Sequence, residues 1–156
     1  MKKSIFAVLM ASVMLLCTAC GPNSTSSSAK DSSSTTKSEA LKPIKKEDLK
    51  VGFIYIGTIN DEGYTQAQDK GRLALEEMGI KTMYSESVPE NSDCETAIRN
   101  LIDQGCNVIY STSFGFGEWT AKVAKDYPNV YFGHCSGSTR LDNMSTYFGK
   151  MIEGRY

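Results

Sequence analysis

The sequence predicts an α/β fold: an open, mostly parallel sheet with helices on both faces. Three observations carry that expectation. Residues 49–56 form an almost unbroken apolar run, the pattern of a strand covered on both sides. From there onward, strand-length apolar runs alternate with helix-length amphipathic ones. The connections are short, and repeated β-α units with short connections build a sheet of this kind.

The first strand, Leu49-Lys50-Val51-Gly52-Phe53-Ile54-Tyr55-Ile56, leads into a loop over residues 57–63. Tyr64, Ala67, Gly71, Leu75 and Met78 then recur at spacings of three and four, which reads as the apolar face of a helix. Asn60 or Asp61 is placed to cap that helix, and Gly79 to end it. Residues 81–85 are a weaker strand. Ser92-Asp93-Cys94-Glu95 has the spacing of a capping box. Ala97, Ile98, Leu101 and Ile102 continue the apolar face of this second helix, and Gly105 closes it. Residues 107–112 are a third strand, and 118–127 a third helix halted by Pro128. Residues 130–133 are a fourth strand and 145–148 a fifth. Residues 149–156 open a further helix.

Two segments of different character stand ahead of this core. Lys2 and Lys3 precede an apolar stretch, residues 5–16, interrupted only by Ser12. It is shorter than the ~20 apolar residues a membrane-spanning helix needs, and it reads as a secretion leader. Leu16-Cys17-Thr18-Ala19-Cys20-Gly21 follows and resembles the bacterial lipoprotein signal. In that signal, small residues precede a Cys that receives a diacylglyceryl thioether and becomes the new N-terminus. The resemblance makes Cys20 the lipid attachment residue; Cys17 stands where the signal usually has Leu. Residues 23–40 are mostly Ser and Thr, with Lys30, Asp31, Lys37 and Glu39 interspersed and no large apolar side chain. Such a segment buries too little surface to offset its ordering entropy and is expected to be a disordered tether. The expected organisation is a leader over 1–20, a tether over 21–48 and a folded part over 49–156. The lipid would hold that part at the extracytoplasmic face of the cell membrane.

Charge and cysteine usage exclude several classes. The formal charge is −1, and losing Lys2 and Lys3 with the leader leaves 15 basic against 18 acidic residues, or −3. No basic stripe marks the folded part, so nucleic acid is not an expected partner. Of five cysteines, Cys17 leaves with the leader and Cys20 is lipidated. Cys94, Cys106 and Cys135 remain, an odd number without zinc spacing, and read as small buried apolar residues. His134, the single histidine, adjoins Cys135. Neighbours on a strand point to opposite faces, so the two do not form a nucleophilic pair. The chain has neither G-x-G-x-x-G nor a P-loop Lys. No cofactor, metal or catalysis is expected.

Ligands of open parallel sheets sit beyond the carboxyl ends of the strands, which directs attention to residues 57–63, 113–117 and 134–140. In the first loop, Asn60 and Asp61 offer hydrogen-bonding groups for a polar heterocycle or for sugar hydroxyls. Tyr64, just beyond, can stack on a flat ring. Local capping by Asn60 and Asp61, with Tyr64 packed inward, is the competing reading. The second loop places Thr112, Ser113 and Phe114 among glycines, with Glu118 opening the next helix. It suits a ligand that backbone and hydroxyls approach closely, or it is a plain turn with Phe114 and Phe116 in the core.

Several stretches together resemble the basic membrane protein family of substrate-binding lipoproteins, the PnrA-like group. They are Val51-Gly52-Phe53-Ile54-Tyr55, Gly63-Tyr64-Thr65 with Asp69-Lys70-Gly71-Arg72, Thr112-Ser113-Phe114-Gly115, and Tyr147-Phe148-Gly149 with Glu153-Gly154-Arg155-Tyr156. The resemblance implies one lobe of a type I periplasmic-binding-protein fold, with the second lobe missing. It implies a small-molecule ligand, a purine nucleoside or related base, delivered to an ABC permease. It makes Tyr64 the stacking residue, places Asn60 and Asp61 nearby, and lines the cleft with Thr112, Ser113 and Phe114. Glu118 stands where the family often has Asp. A single lobe does not close around a ligand, so weak binding is expected of this chain alone. A sensor lipoprotein of the same fold, or one that binds a sugar-like solute, is the alternative.

Overall fold

The computed structural model describes residues 41–149. The expected leader with Cys20, the tether to residue 40 and the expected helix past Gly149 lie outside the described residues. Five parallel strands are found: β1 (Lys50–Ile54), β2 (Lys81–Ser85), β3 (Val108–Ser111), β4 (Tyr131–Cys135) and β5 (Met144–Tyr147). Three helices connect them: α1 (Tyr64–Glu77), α2 (Ser92–Asp103) and α3 (Gly117–Asp126). A 3-10 turn at Lys46–Asp48 precedes β1, and another at Phe114–Phe116 runs directly into α3. The Asn107 amide donates to the Asp48 carbonyl at 2.7 Å and ties the first turn to the foot of β3.

The strand order is β2-β1-β3-β4-β5, so the chain reverses direction across the sheet between β1 and β3. Right-handed crossovers then put α1 on one face and α2 and α3 on the other. The packing shows this partition. Val51, Phe53, Tyr55 and Ile80 form one apolar cluster with half-buried Leu75. Ile54, Ile109, Phe132 and Met144 form the other with Ile98, Leu101, Val123 and Ala124. The central strand β1 is covered on both faces, as its unbroken apolar run predicts. Gly52 is needed there: a Cβ would lie 2.9 Å from Ile109 and 3.1 Å from Leu101.

Both helix-ending glycines behave as expected. Gly79 (φ 80°) and Gly105 (φ 94°) adopt left-handed backbone after α1 and α2. Each closes a six-to-one turn, Ile80 N–H to Leu75 and Cys106 N–H to Leu101, both at 3.0 Å. Cys94, Cys106 and Cys135 are free and buried; burial pushes the Cys94 thiol up to about 12.

Three expectations are corrected. The first concerns α1: Tyr64, Ala67, Gly71 and Met78 lie at the surface, and of the expected apolar face only Leu75 is half-buried. The helix instead turns Thr65, Asp69 and Arg72 to the sheet. Those polar groups are buriable because they satisfy one another. Arg72 pairs with Asp69 at 2.5 and 3.2 Å, Tyr55 donates to Asp69 at 3.1 Å, and Arg72 also reaches Thr82 and Glu76. An apolar periodicity cannot register a buried face built of paired polar side chains. The second correction concerns α2, whose cap is Asn91 and not Ser92; its side chain accepts from the Asp93 N–H at 2.8 Å. Glu95 does not reach back to the helix start but pairs with Arg99 (2.9 Å) and with Lys122 of α3 (2.7 Å). The third is that His134 and Cys135 end strand β4 instead of opening a loop.

Breaking a buried ion pair by removing one partner costs about 3–5 kcal/mol. Asp69→Ala, which leaves the Tyr55 hydroxyl without its partner and Arg72 with Glu76 as its one remaining carboxylate, should lower unfolding stability by up to about that amount in urea titration. Leu73→Ala, on the exposed side of the same helix, should change it by no more than about 0.5 kcal/mol.

Candidate functional site

In an open parallel sheet the ligand crevice forms at the carboxyl ends of the strands between which the order reverses. Here those are β1 and β3, and every sequence-predicted ligand residue lies on the loops or helix starts that follow them. The backbone there is constrained. Glu62 (φ 50°), Ser87 (φ 55°) and Ser136 (φ 63°) are the described non-glycine residues in left-handed conformation, and all three stand at this edge. Such residues cost of order 1–3 kcal/mol each and gather at functional sites.

Two carboxylates from the connection between β2 and α2 brace the two central loops. Glu86 accepts from the Ile59 N–H at 2.8 Å. Glu90 accepts from the Ser113 hydroxyl at 2.5 Å and from the Gly115 N–H at 3.0 Å. A Cβ at Gly115 would strike the Glu90 carboxylate, so a larger residue there would push Glu90 away from its two donors.

Tyr64 opens α1 and is 47% exposed. Its hydroxyl donates to the Thr112 carbonyl and lies 3.4 Å from the Cys135 sulfur. Partial burial and the adjoining Cys135 push the phenol up to about 12, so it stays a neutral donor at physiological pH. The ring is thus pinned at its polar end and nearly half exposed, and an exposed aromatic in this place can act as a shelf on which a planar ligand stacks. Behind it stand Gln68, Tyr147 and Ser136. Tyr147 packs edge-on against Tyr110 at 5.7 Å, and the Ser136 N–H donates to the Tyr147 carbonyl at 2.8 Å.

The other predicted residues divide. Asn60 is exposed beside the shelf. Asp61 caps α1 from three positions upstream of it: its carboxylate accepts from the N–H groups of Gly63, Thr65 and Gln66, each at 2.9 Å. Those bonds, Gln66 and Thr65 foremost, hold its carboxyl at about 2. Thr112 is buried, with its hydroxyl donating to the Ile54 carbonyl at 2.8 Å, so its carbonyl alone faces Tyr64. Ser113 engages Glu90. Phe114 is 72% exposed, whereas Phe116 is fully buried. Phe114 and Glu118 line a cleft of about 670 Å³ with Gly117, His134, Gly137 and Ser138. His134 Nε2 bonds the Ser113 carbonyl at 2.9 Å, while Cys135 faces Tyr64; the two point to opposite faces, as strand neighbours must. Glu86, Glu90 and Gln68 were not singled out from sequence, since an isolated acid or amide carries no spacing signal.

A second cleft, of about 420 Å³, is lined by Leu49, Val108, Tyr131 and Met144 at the starts of the strands. It is not where a sheet of this topology presents its ligand loops. Among the described residues, no group of three or more His, Cys, Asp or Glu is placed to hold a metal, and no helix is long and apolar enough to cross a membrane.

The fold is that of the solute-binding proteins of ABC transporters. An ABC transporter solute-binding protein from Conexibacter woesei superposes with a TM-score of 0.58 at 19% identity, over 64% of this chain and 35% of that one. The chain belongs to the family described as "ABC transporter substrate-binding protein PnrA-like", whose model matches residues 48–156. A purine-binding protein of Brucella abortus is 44% identical over 113 residues, which cover 70% of this chain and 32% of that protein. A protein of Haloferax volcanii, named as a candidate glucose-binding protein of an ABC transporter, is 34% identical over 116 residues, or 73% of this chain and 29% of that one. The chain therefore spans about a third of the length of these relatives.

The capping role of Asp61 has a pH signature. Its folded carboxyl, at about 2, lies below the ordinary 3.8, so its stabilisation is complete above pH 3.8 and is lost as pH falls through about 2. In acid unfolding, the stability gap between wild type and Asp61→Asn should stay constant above pH 4 and narrow toward pH 2.

Proposed function

We propose that this protein is the lipid-anchored, extracytoplasmic binding component of an ABC uptake system and that it captures purine nucleosides or related bases. The observation that carries the reading is Tyr64: an aromatic ring half open to solvent, its hydroxyl fixed to the Thr112 carbonyl at the point where strand order reverses. The purine-binding relative, at 44% identity, supports the same ligand class. The base stacks on Tyr64. Asn60, Ser113, Phe114 and Glu118 meet the rest of the ligand, and Asp61 keeps the first loop in shape. No bond is made or broken; the loaded protein docks on a permease. Cys20 carries the lipid, and residues 21–40 hold the domain off the membrane; residues 41–48, expected as the end of the tether, are instead fastened to the fold through the Lys42 and Asp48 carbonyls.

A sugar-like solute is the second reading, favoured by the Haloferax relative. Titration of everything the gene encodes beyond the leader, by calorimetry and thermal shift, separates the two. Purine nucleosides or bases should bind, and Tyr64→Ala should weaken them roughly 5- to 150-fold, the value of about 1–3 kcal/mol for stacking a base on an aromatic ring. Binding of sugars alone would discard the purine reading and keep the transport class. No response to either would favour a sensor of the same fold.

The anchor is tested separately. In cells fed labelled palmitate, the wild-type protein should take up label and sediment with membranes. Cys20→Ser should do neither.

A further inference from the structure

Gln68 stands one turn beyond Tyr64 on the same flank of α1, where residues four apart are neighbours. It is half-buried, and its carboxamide has two weak partners. Its amide nitrogen lies 4.0 Å from the Cys135 sulfur, and its amide oxygen 3.5 Å from the Tyr147 hydroxyl. Both distances sit at the outer limit of hydrogen bonding, well beyond the ~2.7–3.2 Å of a good one. The Tyr64 hydroxyl is committed to the Thr112 carbonyl, and the Tyr147 hydroxyl reaches Gln68 only at that outer limit. One donor and one acceptor, held side by side next to a stacking shelf, are left nearly unspent.

We infer that Gln68 is the residue that reads the edge of the stacked base, pairing its carboxamide with adjacent donor and acceptor atoms on the ring. This rests on the purine reading above and names the residue that sets its specificity. A carboxamide pairs in two-point fashion with the N6 and N7 edge of adenine, and by the same complementarity with the O6 and N1–H edge of hypoxanthine. Purine itself lacks the exocyclic group and offers one bond fewer. A carboxylate in the same place accepts only, so it suits a ring edge with two donors, such as N1–H and N2–H of guanine.

The test is calorimetric titration of adenine, hypoxanthine, guanine and unsubstituted purine against wild type, Gln68→Glu and Gln68→Leu, each first shown to unfold at the wild-type temperature. Wild type should prefer adenine or hypoxanthine over unsubstituted purine by about 10-fold or more, since a two-point contact is worth roughly 5- to 150-fold. Gln68→Leu should erase that preference while leaving purine bound. Gln68→Glu should move the guanine-to-adenine ratio by about 10-fold toward guanine. An unchanged rank order in both variants, or an equal loss for all four ligands, overturns the assignment of Gln68 and leaves the uptake reading standing. Failure of wild type to bind any of the four overturns both.

Discussion

Asp69 and Arg72, three residues apart on α1 and both buried against the sheet, decide which way that helix is turned. Their two-point ion pair is shared with the hydroxyl of Tyr55, the residue that follows β1, and with Thr82 from β2, and Arg72 also lies over the Tyr84 ring at 4.8 Å. Those partners come from two chain segments, so the network closes at one helix rotation. A buried ion pair is weak evidence for stability, since apolar replacements are often neutral or better. What it supplies here is orientation. Turned by a quarter of a revolution, α1 would bury Tyr64 and Gln68 instead of Thr65 and Asp69. The network thus sets which side chains of α1 reach the ligand edge.

The same edge is stiffened from a second direction. Glu86 and Glu90 belong to one connection yet hold different loops, one through the Ile59 N–H and one through Ser113 and Gly115. Asp61 holds the start of α1. Three carboxylates therefore satisfy backbone and hydroxyl donors that would otherwise face water or a ligand. The loops arrive at the cleft with their geometry already set, so less ordering entropy is lost when a ligand binds. Sequence position alone would mark Glu86 and Glu90 as surface charge.

Much of the fold was legible because its signals are local. The continuous apolar run of β1, the glycines at 79 and 105, and the alternation of short runs each report a single physical requirement. The ligand edge followed from topology, since parallel order dictates where loops gather. The failures are equally local in origin. The rotation of α1 was misread because Asp69 and Arg72 are buried only as a pair, and a pair spanning a helix, a strand and a tyrosine leaves no periodic trace. The cap of α2 slipped by one residue because Asn91 and Ser92 are both good caps, and the backbone at Asn91 decides between them. At the candidate site, the loops gathered at the carboxyl ends of the strands were readable, but which of their side chains serve the fold was not. Asp61 and Thr112 turn their polar atoms inward to the fold, and only the geometry separates them from Tyr64.

The shelf has an energetic limit that bears on the rest of the protein. Stacking on one ring contributes about 1–3 kcal/mol, and a two-point hydrogen-bonded contact contributes about as much. Association itself costs roughly 4–15 kcal/mol in lost freedom. Stacking and one two-point contact alone therefore do not hold a planar ligand tightly; the opposite face of the ligand must meet a second surface. The exposed rim is consistent with that need. Phe114 and Phe148 stand largely in water at the same edge as Tyr64, and apolar groups gathered at a cleft mark a surface that something covers. The relatives extend far beyond the matched region, with about two thirds of their length outside it. A one-walled surface of this kind therefore binds a planar ligand weakly, and tight capture requires a second wall on the open side of Tyr64.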